Sequence, residues 1–259
     1  MKTIGRSIVL IILMVAFANG TAMATPTQLT VMVRAKDAKF IGDSMSGVLI
    51  TIRNADTGEL LAKGVTAGTT GDTENTMKKP RQRGAPLSDA KSARFNATID
   101  ISEPTFLEIH GYGPLAQRQS AGTVSVTQWV IPGKHVNSGD GILLEMPGFA
   151  VAILAPPPHL HLPTDELPAK IEVRANVIMM CGCPVTPGGL WDANRLEVRA
   201  LVRKNGKPGG GFPLAYAGEP SQFAGSLAVS GEGVYEVTVY AHDPSNGNTG
   251  VDTTTVVVQ

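Results

Sequence analysis

A short MMCGCP segment contains both cysteines of the chain and is the part of the sequence best suited to chemistry. On a regular strand, residues two apart point to the same side, so Met179, Cys181 and Cys183 would share one face. Thiolate and thioether sulfur atoms are soft ligands that select copper(I) and zinc. Upstream, His159 and His161 have the same spacing of two. These five side chains predict a candidate copper(I) site.

The same cysteines also fit two structural roles. A disulfide is favoured in an oxidising compartment, although the Cβ atoms must approach to roughly 3.5–4.5 Å, closer than an extended strand places them. Gly182 and Pro184 could supply the necessary bend. Alternatively, both thiols are small buried hydrophobic groups and Met179 fills the core beside them. The sequence leaves the three alternatives open.

A loop near the C-terminus collects oxygen-bearing side chains. They belong to Asp243, Asn246, Asn248 and Asp252. Calcium takes about six to eight oxygen ligands, so the group is a second candidate cation site. Asn and Asp also form ordinary turns by bonding their own backbone, which accounts for the pattern with fewer assumptions. Calcium is therefore the less favoured cofactor.

The sequence contains few signatures of catalysis. It has no Gly-x-Ser-x-Gly, no His-Glu-x-x-His and no phosphate-binding loop. Ser88 and Lys91 match the Ser-x-x-Lys spacing, but that motif must open a helix, which nothing in this region predicts. His110, His135 and His242 fall in or beside predicted strands, where a structural role is the default. We therefore expect a non-enzymatic protein.

Four cations, contributed by two lysines and two arginines, occur within positions 78–83. Such a cluster can steer an anionic surface towards the protein. Solvated loops also often contain charge runs of this kind. The cluster is thus a weak indication of a binding function.

The N-terminus has the pattern of a cleavable secretory signal. Lys2 and Arg6 precede an apolar run over 7–18, and Ala22-Met23-Ala24 matches a signal-peptidase site. The apolar run is shorter than the roughly 20 residues that a membrane-spanning helix needs. We expect residues 1–24 to be removed and the product to be periplasmic or secreted.

The rest of the sequence predicts an all-β protein, because apolar residues alternate with polar ones and helical periodicity is scarce. The predicted strands of the first half are 28–34, 47–54, 59–66, 93–101, 106–111, 123–131 and 150–154. Those of the second half are 171–183, 195–203, 213–217, 223–229, 234–241 and 251–258. The clearest hairpin turns at Gly58, where a tight reversal requires a positive φ. The last strand is the expected free sheet edge, available to a partner's strand.

A proline-rich segment, 156–170, separates the two halves and predicts a stiff linker. Each half contains about the number of short strands expected of a β-sandwich. The predicted organisation is a signal peptide over 1–24, a sandwich over 25–155 with an inserted loop over 67–92, the linker, and a second sandwich over 171–259.

Two stretches resemble known families. Residues 231–243, with Tyr235 at the entry to the penultimate strand, resemble the last hairpin of bacterial immunoglobulin-like modules. Residues 50–58 and 107–113 are similar to carboxypeptidase-regulatory, transthyretin-like sandwiches, from which the inserted loop departs. The resemblance implies two antiparallel β-sandwich domains, Ig-like and transthyretin-like, and not a particular activity.

Composition narrows the class of function. The 22 basic and 22 acidic residues balance, which argues against a strongly basic nucleic-acid binder, and the 42% hydrophobic content argues against a disordered chain. We expect a binding or scaffold protein whose partners are other extracytoplasmic proteins or a cell-surface polymer. Copper(I) binding is the alternative.

Overall fold

The computed structural model describes residues 23–259, and the predicted signal peptide lies almost wholly outside the described residues. Within these residues, sixteen strands form four sheets arranged as two sandwiches, which confirms the predicted all-β class. Among the described residues, no helix is long and apolar enough to cross a membrane.

The first sandwich packs a three-stranded sheet, β4–β1–β7, against a four-stranded sheet, β3–β2–β5–β6. Its strands are β1 (Thr25–Ala35), β2 (Leu49–Asn54), β3 (Leu60–Val65), β4 (Phe95–Ile101), β5 (Thr105–Gly113), β6 (Gly122–Val130) and β7 (Ile142–Met146). The pairs are antiparallel except β1 with β7, which is parallel. The predicted β2–β3 hairpin is present, and Gly58 has φ +74° at its turn.

The second sandwich packs β13–β14–β10–β8 against β12–β11–β15–β16–β9. Its strands are β8 (Phe149–Ala155), β9 (Leu160–Leu162), β10 (Ala169–Met179), β11 (Glu197–Lys204), β12 (Lys207–Pro213), β13 (Ala215–Tyr216), β14 (Gln222–Val229), β15 (Gly233–His242) and β16 (Thr249–Val258). Five short helical turns interrupt the strands of the two sandwiches, at Asp43–Met45, Glu74–Lys78, Arg118–Ser120, Thr164–Glu166 and Ala193–Arg195.

Strand β8 lies on the other side of the expected boundary. The predicted organisation assigns it to the first module, but it pairs antiparallel with β10, for example Val151 with Val177. Alternation identifies a buried strand without identifying its partner. One continuous cluster of buried side chains includes strands of both sandwiches.

The C-terminal strand β16 is not the free edge that the sequence predicts. Within the linker, β9 pairs parallel with its last residues, Val256 to Val258. Near its start, Asp252 Oδ2 accepts a hydrogen bond from Ile153 N of β8 at 2.7 Å. The expectation is wrong because the linker folds back along β16 instead of leading away from the sheet.

The inserted loop is anchored to the first sandwich. Asp140 accepts hydrogen bonds from Leu87 N and Ser88 N, both at 2.9 Å. Burial acts to raise the pKa of Asp140, but these hydrogen bonds and the charge of Arg81 outweigh burial and hold the pKa below its ordinary value of 3.8. Within the cation cluster, Lys78 forms an ion pair with Glu74 at 2.6 Å. Part of the cluster's charge is therefore neutralised inside the loop.

Candidate functional site

The two cysteines lie in a tight turn at the junction of the sandwiches. Strand β10 ends at Met179 instead of continuing to Cys183 as predicted, because the chain reverses and Met179 N donates to Cys183 O at 3.1 Å. Gly182 occupies the turn with φ +81°, and Met45 of the first sandwich packs against it. Cys181 and Cys183 form a disulfide, with Cα atoms 5.5 Å apart. Both are buried.

The two histidines lie elsewhere. His159 and His161 are exposed, with ring centroids 4.9 Å apart, and His161 Nδ1 is 3.3 Å from the side-chain amide of Gln259. His161 is paired with Val257, near the end of β16, whereas Gly250, near its start, packs against Phe149. Phe149 is in turn paired with Met179.

The structure therefore does not assemble the five-residue copper site. At about 3.3 Å per strand residue, the length of β16 places the histidines roughly 20 Å or more from the cysteine turn. The expectation required the linker to fold over the end of β10 that carries the cysteines, but the linker follows the opposite end of the sheet. Across residues 23–259, no group of three or more His, Cys, Asp and Glu side chains is arranged to hold a metal ion.

The oxygen-bearing loop 243–252 joins the two sandwiches. Asn248 is fully buried: its Oδ1 accepts from Gly148 N at 2.9 Å, and its Nδ2 donates to Lys36 O at 3.0 Å. Lys36 Nζ donates to Asn246 O at 2.7 Å. These bonds give Asn246 and Asn248 a structural role, because they connect the two sandwiches. The bonds do not arrange the oxygen atoms of the loop around a calcium ion.

Trp191 adds a further contact to this joint. Its Nε1 donates to Asp37 O of the first sandwich at 2.8 Å. A small cavity of about 40 Å³ lies beside the ring, lined by Asp37, Asp192 and Asp243 among others. The pKa of Asp192 lies below its ordinary value because the backbone N–H groups of Asn194 and Gly188 donate to the carboxylate. The carboxylate of Asp192 is thus held by its own turn.

A shallow groove lies on the outward face of the β3–β2–β5–β6 sheet, which we call the outer face. Strand alternation and register place Tyr112, His110, Glu108 and Phe106 there in successive rows. The groove is about 380 Å³ and is lined by Leu49, Thr51, Arg53, Glu108, His110 and Tyr112.

Aromatic rings mark both ends of this face. Trp129 of β6 is 59% exposed, and its ring lies 5.0 Å from that of Phe106 on β5. Tyr112 stands at the opposite end of β5 and is 36% exposed. Between them, Arg53 and Glu108 are paired across the ladder and contribute opposite charges. With the exposed Lys63 of β3, which is paired with Thr51, the face is amphipathic and has two cations to one anion.

The sequence pattern does not reveal this site. It assigns His110 a structural role, but His110 lines the groove. Trp129 lies inside the predicted strand 123–131, whereas Tyr112 lies one residue beyond the predicted strand 106–111, because β5 extends to Gly113. The sequence pattern does not indicate which face of this sheet packs on β1 and which face remains open.

No family model matches the chain, and neither does any curated relative. Several solved structures show limited likeness, and three of them serve as examples. An engineered protein has 19% identity over 50% of this chain and 24% of its own chain, with a TM-score of 0.32. The fibronectin(III)-like modules of Clostridium thermocellum CbhA have 12% identity over 90% of this chain and 94% of their own, with a TM-score of 0.29. The titin Ig tandem domains A164–A165 have 9% identity over 92% of this chain and 98% of their own, with a TM-score of 0.25. The chain spans about a quarter of the engineered protein. TM-scores this low assign no family.

Proposed function

We propose that the protein is a non-enzymatic extracytoplasmic binding protein whose outer face binds a neutral cell-surface polysaccharide. The observation that carries the proposal is the exposed Trp129, which packs beside the tilted ring of Phe106 on the same face as Tyr112. Extracytoplasmic location is part of the proposal and depends on the signal-like N-terminus.

The chemistry of the outer face fits a sugar chain. A pyranose ring has an apolar C–H face that packs on an aromatic ring, while its hydroxyls require hydrogen-bond donors and acceptors around the ring. Tyr112 and Trp129 offer apolar surfaces, and Thr51, Arg53 and Glu108 offer both kinds of polar group. Glu108 offsets the charge of Arg53 across the ladder, which leaves Lys63 as the excess charge of this face. A single excess cation gives little preference for an anionic polymer, so the proposed ligand is neutral.

The finer fold assignment is also a proposal, in which the first sandwich is transthyretin-like and the second Ig-like. Tyr235, buried at the start of β15, donates from its hydroxyl to Gly231 O at 2.8 Å. A tyrosine that bonds the backbone a few residues upstream, on the penultimate strand, is typical of Ig-like sandwiches. This bond supports the Ig-like assignment.

Tryptophan fluorescence tests the binding proposal. In a Trp191→Phe background, Trp129 is the single reporter, because the chain has two tryptophans. We expect soluble neutral glucans or mannans to change its emission with saturation, and Tyr112→Ala to weaken binding about tenfold or more, as loss of a central aromatic contact does.

The matched control is Leu201→Ala, which removes a similarly exposed apolar side chain from the second sandwich. It should bind like the parent. Binding that Leu201→Ala weakens as much as Tyr112→Ala does, or no binding to any neutral polysaccharide of the set, would refute the proposal.

A further inference from the structure

Strand β6 is an edge of its sheet that lacks the usual protection against strand addition. Natural edges are blunted by prolines, lysines, bulges or very short strands. The edge strand β12 has Pro208, Pro213 and Lys207, and β9 has only three residues. Strand β6 has nine residues, with neither proline nor charge.

The edge of β8, which is also uncharged, is satisfied by side chains. Ser120 Oγ accepts from Val151 N at 3.0 Å, and Asp252 Oδ2 accepts from Ile153 N. Among the residues that the structure describes, no side chain caps the edge of β6 in this way. The uncharged stretch extends from Gln119 to Gly133, well beyond the strand itself.

The exposure pattern of β6 shows that its edge is open. On a strand with one covered face, alternate residues are buried. Here Ser125, Val126 and Thr127 are exposed in succession, although Val126 is paired with Ile109, whose side chain belongs to the core. Strand β7 of the other sheet lies close to β6, but within residues 23–259 no strand pairs with β6 on the side away from β5.

The sequence of β6 is complementary to itself. Residues 123–127 read Thr-Val-Ser-Val-Thr, which is the same in both directions about Ser125. An antiparallel pairing of two such strands across a twofold axis at Ser125 puts Thr123 opposite the partner's Thr127 and Val124 opposite the partner's Val126. Thr–Thr and β-branched pairs directly opposite each other stabilise antiparallel sheets.

We propose that β6 is the interface of a homodimer in which two protomers pair their β6 strands antiparallel about Ser125. The interface is isologous, so each residue pair off the axis occurs twice and the assembly closes at two copies. It joins the two four-stranded sheets into one eight-stranded sheet and makes the two outer faces continuous. The interface does not depend on the proposed polysaccharide ligand.

Sedimentation velocity of the full chain without its signal segment tests the interface. We expect the wild type to sediment at twice the monomer mass. Ser125→Lys places two ammonium groups opposite each other at the axis, and like charges at this spacing should raise the dimer dissociation constant about tenfold or more. Thr253→Lys adds the same charge at an exposed position of β16 and should remain dimeric.

Cross-linking gives a second readout that does not depend on destabilising the dimer. Ser125→Cys should form a covalent dimer with a short thiol-reactive cross-linker, because directly opposed residues have Cβ atoms about 4.5–5.5 Å apart, slightly farther than a disulfide requires. Thr253→Cys should not. A monomeric wild type at the highest soluble concentration, an unaffected Ser125→Lys dimer, or equal cross-linking of the two cysteine variants would overturn the proposal.

Discussion

Replacement of Asn248 by alanine should loosen the joint between the sandwiches. The side chain is fully buried and connects Gly148 N, in the turn before β8, with Lys36 O, which follows β1. Truncation leaves one buried N–H and one part-buried C=O without this partner, at up to about 1–3 kcal/mol each. We therefore expect a loss of about 2–6 kcal/mol, a large part of the roughly 5–15 kcal/mol that stabilises a typical protein.

Urea unfolding measures this loss as a lower midpoint of the transition. The matched control is Asn137→Ala, which removes an exposed amide bonded to Gln28 at 2.8 Å and should cost less than about 0.5 kcal/mol. If Asn248→Ala also cost less than about 0.5 kcal/mol, Asn248 would not be a structural joint. A structural joint would then no longer explain the polar residues of the loop 243–252, and calcium binding would again be the alternative explanation.

Three further variants test other features of the structure. Asp140 has a lowered pKa in the folded state, so its anchoring of the loop is complete above the ordinary value of 3.8 and is lost as the pH falls below that value. The amide NMR signals of Leu87 and Ser88 should therefore titrate below pH 3.8. Asp140→Asn should abolish this titration. Tyr235→Phe removes the bond to Gly231 O and should lower the free energy of unfolding by about 0.5–1.5 kcal/mol in urea, whereas no change would contradict a corner role. In reduced protein, His159→Ala with His161→Ala should leave copper(I) affinity unchanged in a competition titration with a chromophoric chelator, because the imidazoles lie far from the thiols; a dependence on either histidine would contradict their placement at the opposite end of the sheet.

Local patterns in the sequence predict the parts of the fold that depend on local chemistry. The hairpin at Gly58 follows from the backbone freedom of glycine, and the position of Tyr235 follows from its place before the penultimate strand. Strand β7 is not predicted because its ILLEM sequence lacks clear alternation. The predicted end of β10 lies four residues too far along, because the reversal at Gly182 depends on contacts with Met45 from a distant part of the chain.

Long-range pairing sets the limit on predicting the candidate site. Alternation in β5 and β6 separates two faces, but only the packing against the β4–β1–β7 sheet decides which face is outward. The same limit applies to the metal hypothesis, in which His159 and Cys181 are close in sequence yet are separated by the full length of the sandwich. Local spacing predicts which side chains share a face, and tertiary pairing decides which faces meet.

An NMR titration with a soluble neutral polysaccharide tests the proposed binding surface most directly. If the outer face binds the polymer, the amide shifts that change will map to β2, β5 and β6, with the indole signal of Trp129 among the largest changes. Shift changes confined to the second sandwich, or the absence of any change at saturating polysaccharide, would contradict it.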